Sequence, residues 1–128
     1  MDIWYKYLAT NVAIALIMLI SGKIFSNRAP KNINTFIGYR TTMSMKNRDT
    51  WEFAHKTSGK LLWKCGWICL LAVTAVMVFL RGRPEETLTK VGLILCCAQI
   101  IPFIGISVHT ENALRKAFDE DGNRRIDV

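Results

Sequence analysis

Residues 61–80, LLWKCGWICLLAVTAVMVFL, form an apolar run whose single charge, Lys64, lies near its start. At ~1.5 Å per residue such a helix is roughly 30 Å long, the thickness of a bilayer's hydrocarbon core. Residues 8–25 and 91–108 share this character, and none of the three runs contains Asp or Glu. Their apolar side chains cover most of the helical circumference, whereas a helix in a soluble bundle shows a polar face. The expected fold is all-α: one integral membrane domain with three transmembrane helices, at about residues 5–25, 61–80 and 90–108. The composition agrees, with 51% hydrophobic and 21% charged residues in a 128-residue chain. A cleaved signal peptide competes for the first run. Its flank argues otherwise, because Asp2 and Lys6 cancel and Ser21-Gly22-Lys23-Ile24 lacks a small-x-small cleavage site.

The basic residues give an orientation. Lys6, Arg81, Arg83 and Lys90 fall on one side of a three-span chain, and the other 13 of the 17 Lys and Arg fall on the opposite side. Basic residues stay cytoplasmic, so the amino terminus is expected outside, with the loop 26–60 and the tail 109–128 in the cytoplasm. The formal charge of +7 is then a topology signal and an attraction to anionic lipid. It implies no direct nucleic-acid contact.

The polar stretch between the first two spans is where specific chemistry is sought. Asn27, Pro30, Asn32 and Asn34 mark a loop without hydrophobic period. Asn47 is placed to cap a helix, with Asp49 and Glu52 in its first turn. From there Arg48, Glu52, Lys56, Lys60 and Lys64 form a polar stripe at steps of four, while Trp51, Ala54, His55, Ser58 and Leu62 share another face. This pattern predicts an amphipathic helix in the membrane interface that turns into the second span. Gly59 fits either a bend there or a close helix contact, and a straight continuation into the span is open as well because no proline intervenes.

Trp4, Tyr5 and Tyr7 suit the outer headgroup layer, and Trp63 and Trp67 the inner one. Arg81-Gly82-Arg83-Pro84 ends the second helix, and the short connection makes the second and third spans antiparallel neighbours. Pro102 lacks the N–H that would meet a carbonyl one turn back, so a kink is expected near Ala98. Such a break suits either simple packing or a transporter's ion site. Asn11, Thr74 and Gln99 each fall roughly 9–12 Å below the outer surface. They are expected to form an intramembrane polar cluster, since lone amides in hydrocarbon seek partners. After residue 108, Leu114 and Phe118 can share one face of a short helix.

Several constellations lead away from metals and catalysis. Asp119, Asp121, Asn123, Ile126 and Asp127 match calcium-loop positions 1, 3, 5, 8 and 9, but position 6 is Arg124 and position 12 falls past Val128. Cys65 lies near the inner face and Cys96 and Cys97 nearer the outer one, on the order of 10–15 Å apart in depth, too far for disulfides. His55 and His109 match no metal spacing. No nucleophile elbow, zinc-protease, phosphate-loop or dinucleotide motif occurs. No catalytic residue, cofactor or metal is assigned.

Asn34-x-x-Ile37-Gly38-Tyr39-Arg40-Thr41, then Ser44-Met45-Lys46-Asn47, Thr50-Trp51, Ala54-His55 and Gly59-Lys60, closely resembles the signature of the SdpI family of bacterial membrane proteins. The tail, Thr110-Glu111-x-Ala113-Leu114 and Phe118-Asp119-x-Asp121-Gly122-Asn123-Arg124, also resembles family members. The first helix matches in character only. The resemblance implies a multi-pass protein of the bacterial cytoplasmic membrane that gives immunity against a secreted peptide toxin, with signalling through a cytoplasmic repressor protein. The chain departs from the family's namesake, which has about twice as many spans. It corresponds to the signature-bearing half, which puts the signalling role in doubt and points to a homo-oligomer. The expected function is membrane immunity or peptide sensing, without enzymatic activity; the alternative is a small transporter or channel subunit with a site near Pro102. In the first reading Arg40 is a lipid or helix-end anchor, and Trp51 and His55 hold the helix to the bundle.

Overall fold

The computed structural model describes residues 2–31, 33 and 38–125. Its regular elements are four helices: α1 (Ile3–Asn27), α2 (Arg48–Phe79), α3 (Glu85–Ala98) and α4 (Ile100–Ala117). α3 and α4 follow each other as one helical stretch, Glu85–Ala117, whose apolar part makes it the third of three stretches among the described residues long and apolar enough to cross a membrane. Their outer surface is itself apolar: Ile68, Leu71, Phe79 and Ile101 are 66–74% exposed. A surface this greasy belongs in lipid.

The amphipathic helix expected before the second span is not a separate element. It is the first part of α2, whose 32 residues run unbroken for about 48 Å, some 18 Å more than a hydrocarbon core is thick. No proline interrupts it, and Gly59 serves contact, not bending. A Cβ there would lie 2.4 Å from the Ser26 backbone nitrogen. The expected faces remain: Trp51, Ala54, His55, Ser58 and Leu62 are buried, and Arg48, Glu52, Lys56, Lys60 and Lys64 are exposed.

α1 and α2 pack antiparallel. Gly22 sits against Trp63 and Leu62 backbone, Gly66 against Leu19, and the Trp4 indole donates to the Met77 carbonyl at 2.7 Å. The buried stripe of α1, Asn11, Ala15, Met18, Leu19 and Gly22, follows helical spacing. Lipid tails are as apolar as Leu, so close packing of small residues, not expulsion of water, drives this contact. α3 crosses the first half of α1, where Gly92 meets the Tyr7 ring.

The core has three tiers. Trp4, Met77, Leu80 and Leu88 close one end; Met18, Leu62 and Ile106 fill the middle; Ala54, Leu114 and Phe118 close the loop end. The third span breaks at Gln99, between α3 and α4, three residues before Pro102. Proline leaves the Ala98 carbonyl without its helical donor, which explains the interruption. The expected tail helix is the continuation of α4 to Ala117. The four cysteines are free thiols.

Candidate functional site

The loop end is assembled from local caps upward. Thr41 and Ser44 cap one another: the Thr41 N–H donates to Ser44 Oγ at 2.8 Å, and the Ser44 N–H to Thr41 Oγ1 at 3.1 Å. The Ser44 hydroxyl in turn donates to the Tyr39 carbonyl at 2.9 Å. Three residues on, Asn47 and Thr50 repeat the device as a capping box, with the Thr50 N–H on Asn47 Oδ1 at 2.9 Å and the Asn47 N–H on Thr50 Oγ1 at 3.1 Å. The Thr50 hydroxyl donates to the Ser44 carbonyl at 3.0 Å, which joins the two caps. Residues 41–50 are thus pinned to the start of α2 by side-chain oxygens together with backbone turns, the Met45 N–H on the Thr41 carbonyl and the Trp51 N–H on the Asn47 carbonyl, each at 3.1 Å.

Two aromatic residues on the buried face of α2 then hold the chain on either side. The Trp51 Nε1–H donates to the Pro30 carbonyl at 2.9 Å, and Trp51 is fully buried. One turn later His55 Nδ1 lies 2.7 Å from the Trp51 carbonyl, and Nε2 accepts the Tyr39 N–H at 2.9 Å. A carbonyl can only accept, so Nδ1 carries the proton and the ring is neutral. The ring packs against Trp51 at a tilt of 51° and meets Phe25 edge-on, with centroids 4.3 and 5.0 Å apart. Gly38 completes the contact. Its φ of +110° is a left-handed conformation that favours glycine, and a Cβ there would stand 2.4 Å from His55 Nε2.

The Tyr39 hydroxyl reaches α4, 2.9 Å from Glu111 Oε1 and 3.0 Å from the Ser107 carbonyl. Burial and the Glu111 acceptor raise the phenol's pKa, which keeps it a donor. The tail is tied in as well: Asn47 Nδ2 donates to the Gly122 carbonyl at 2.7 Å, and Arg124 grips Asp49 through two bonds of 2.7 and 2.8 Å. Asp119 turns the tail back by accepting the Asp121 and Asn123 N–H groups. Its side chain thus serves the turn that suggested a calcium loop. A cleft of about 780 Å³ lies between Thr41 and Lys46 on one side and Glu111, Arg115, Phe118 and Arg125 on the other.

Of the loop residues singled out in the sequence, Gly38, Tyr39, Thr41, Ser44, Asn47, Trp51 and His55 meet in this network. Arg40 and Lys46 are exposed beside it, Gly59 lies against α1, and Asn34 lies outside the described residues. Pro30, Ser107 and Gly122 contribute backbone carbonyls, for which a sequence gives no signal. Glu111 as the Tyr39 acceptor was also missed.

Burial is the main cause that pushes the His55 pKa below its ordinary value; Arg48 adds to this and the Trp51 carbonyl opposes it. The unfolded chain protonates this ring near pH ~6.5, while the folded chain resists. Above that pH both states are neutral and His55 adds no pH dependence. Below it the unfolded state gains protons first, so stability should fall on acidification, by at most about 1.4 kcal/mol per pH unit. Melting curves in detergent between pH 7.5 and 5.5 should therefore drop for the wild type and flatten for His55→Gln. Equal slopes would mean that His55 is not held neutral.

At membrane depth, Gln99 Nε2 donates to Asn11 Oδ1 at 2.9 Å, and Asn11 Nδ2 donates to the Tyr7 and Gly92 carbonyls at 2.9 and 3.3 Å. Thr74 does not join them. It is exposed, one residue along from buried Val73, and 100° of helical rotation turns it to the lipid. Gln99 Oε1 has no partner although it is buried. This asymmetry orders the expected losses. Asn11→Leu leaves both Gln99 polar atoms unpaired and should cost about 1–3 kcal/mol in a detergent unfolding series. Gln99→Leu should cost less, because it also removes the orphan oxygen, and the double variant should recover part of the Asn11→Leu loss. The reverse order would rule this pairing out.

No curated protein and no solved structure matches the chain. A family model does match, over residues 31–109, which takes in the loop, all of α2 and α3 and the first half of α4. The tail resemblance lies beyond that match. More than half of the 128 residues are covered, including the Gly38–Tyr39–His55 contact, and the chain belongs to the SdpI/YfhL protein family.

Proposed function

We propose that this protein is a non-enzymatic immunity or peptide-sensing protein of the bacterial cytoplasmic membrane, which protects against a secreted antimicrobial peptide toxin. The amino terminus faces out and the loop end faces the cytoplasm, as the basic residues favour. The carrying observation is the way the family-matched loop is built. Ser44, His55 and Tyr39, which could act as nucleophile, base and acid, are bound to backbone groups and, for Tyr39, to Glu111 instead of converging on an open cleft. Such a site holds helices in register better than it turns over a substrate. A membrane-active peptide would meet the exposed apolar faces of the spans, and the cleft beside Lys46 and Arg115 would take a cytoplasmic partner such as a repressor. A homo-oligomer of the chain in the bilayer is part of the same reading.

The test is expression in a toxin-sensitive bacterium, with wild type, Arg40→Ala and Trp51→Ala compared at matched membrane levels. Protection by the wild type that is lost in the properly inserted variants supports a functional loop. No protection from the wild type sinks the immunity reading. One observation favours a second reading, a small transporter or channel subunit: the helix break at Gln99 with its unpartnered amide oxygen. Substrate-dependent flux in liposomes, abolished by Gln99→Leu, would favour it over immunity.

A further inference from the structure

On the face of α2 that looks toward α4 and the tail, the polar stripe borders a cleft of about 470 Å³. Lys56, Lys60 and Lys64 line one wall, His109 of α4 stands opposite, and Thr57 and Leu61 lie between. The cleft contains two acids, and both are taken: Asp49 by Arg124, and Glu52 by Arg48 at 2.9 Å. Among the described residues none of the three lysines has an ion pair or hydrogen bond. Among the described residues, three ammonium groups therefore face one cavity whose two carboxylates are already paired with arginines. Its depth is set by sequence: Lys60 and Lys64 flank the start of the apolar run, Leu61 lines the cleft at that level, and Trp63 and Trp67 lie on the same turns.

We infer that this cleft binds the headgroup phosphate of an anionic phospholipid. Charge complementarity and position argue for a lipid over a soluble acidic ligand, because the cleft opens where a phosphodiester of the inner leaflet would lie. The lysines hold the phosphate, Thr57 adds a hydroxyl donor, and the acyl chains run down past Leu61. A bound lipid would bridge α2 to α4 on the side opposite the Tyr39–Glu111 contact.

The test uses the full chain in a zwitterionic detergent, with its melting temperature followed as phosphatidylglycerol, phosphatidylcholine or inorganic phosphate is titrated in. Stabilisation by phosphatidylglycerol alone is expected. In Lys56→Gln/Lys60→Gln/Lys64→Gln its apparent affinity should fall about 100-fold, while Arg81→Gln/Arg83→Gln at the other membrane surface should bind as the wild type does. The three lysines are exposed, so the variant should keep the wild-type melting temperature without lipid. Equal stabilisation by phosphatidylcholine, an equal effect of inorganic phosphate, undiminished binding by the lysine variant, or an equal loss in the arginine variant would each overturn the assignment.

Discussion

Trp51→Ala should lower stability by about 3–5 kcal/mol, the range for truncating a fully buried large aromatic. Its ring fills the space between the loop and α2, packs against the tilted His55 ring at 4.3 Å, and anchors the Pro30 carbonyl. The loss should come mainly from packing. Arg48 also donates to the Pro30 carbonyl, at 3.1 Å, so that oxygen keeps a partner when the indole is gone. Trp51→Phe should then cost only about 1 kcal/mol, the net worth of one hydrogen bond. Unfolding curves of the two variants separate the contributions. If Phe were as damaging as Ala, the hydrogen bond and not the packing would be holding the loop.

The second large effect is expected in the α1–α2 seam. Gly22→Leu places a Cβ 2.3 Å from the Trp63 backbone nitrogen, and neither helix can yield locally because the obstacle is backbone. The helices must move apart, opening contacts at Gly59 and Gly66 as well, so the cost should reach about 3 kcal/mol, the upper end for overpacking. Gly105→Leu is the control. A Cβ at Gly105 meets nothing within 4 Å and points to lipid, so that variant should unfold like the wild type. Similar losses at both positions would mean that helix propensity or insertion, not the seam, sets the result.

The parts of this fold that were legible in the sequence are those set by local chemistry. The three spans follow from runs without Asp or Glu, the start of α2 from Asn47 as a cap, its buried face from the spacing of Trp51, Ala54, His55, Ser58 and Leu62, and the break in the third span from Pro102. Gly59 was ambiguous because a glycine permits either a bend or a close contact. Only the position of Ser26 on α1 decides between them. Thr74 was placed at a suitable depth but on the wrong side of its helix. Depth along the axis follows from counting residues, whereas facing depends on which neighbours are buried, and Val73 and Met77 point elsewhere.

The candidate site was legible as a list of residues and not as a structure. His55 contacts Tyr39 across 16 residues of chain, Tyr39 contacts Glu111 across 72, and Asp49 contacts Arg124 across 75. Nothing in the spacing of such residues specifies these pairings. They also depend on Gly38 taking a positive φ, which brings the Tyr39 N–H onto the imidazole.

The central claim is that His55 is a neutral, two-sided strut between α2 and the loop. The most direct measurement is nitrogen-15 NMR of the imidazole at pH 7 in detergent, with His109→Gln used to assign the signal. The structure predicts a neutral ring protonated at Nδ1, with Nε2 shifted as a hydrogen-bond acceptor. An imidazolium at pH 7, or a ring protonated at Nε2, would contradict it.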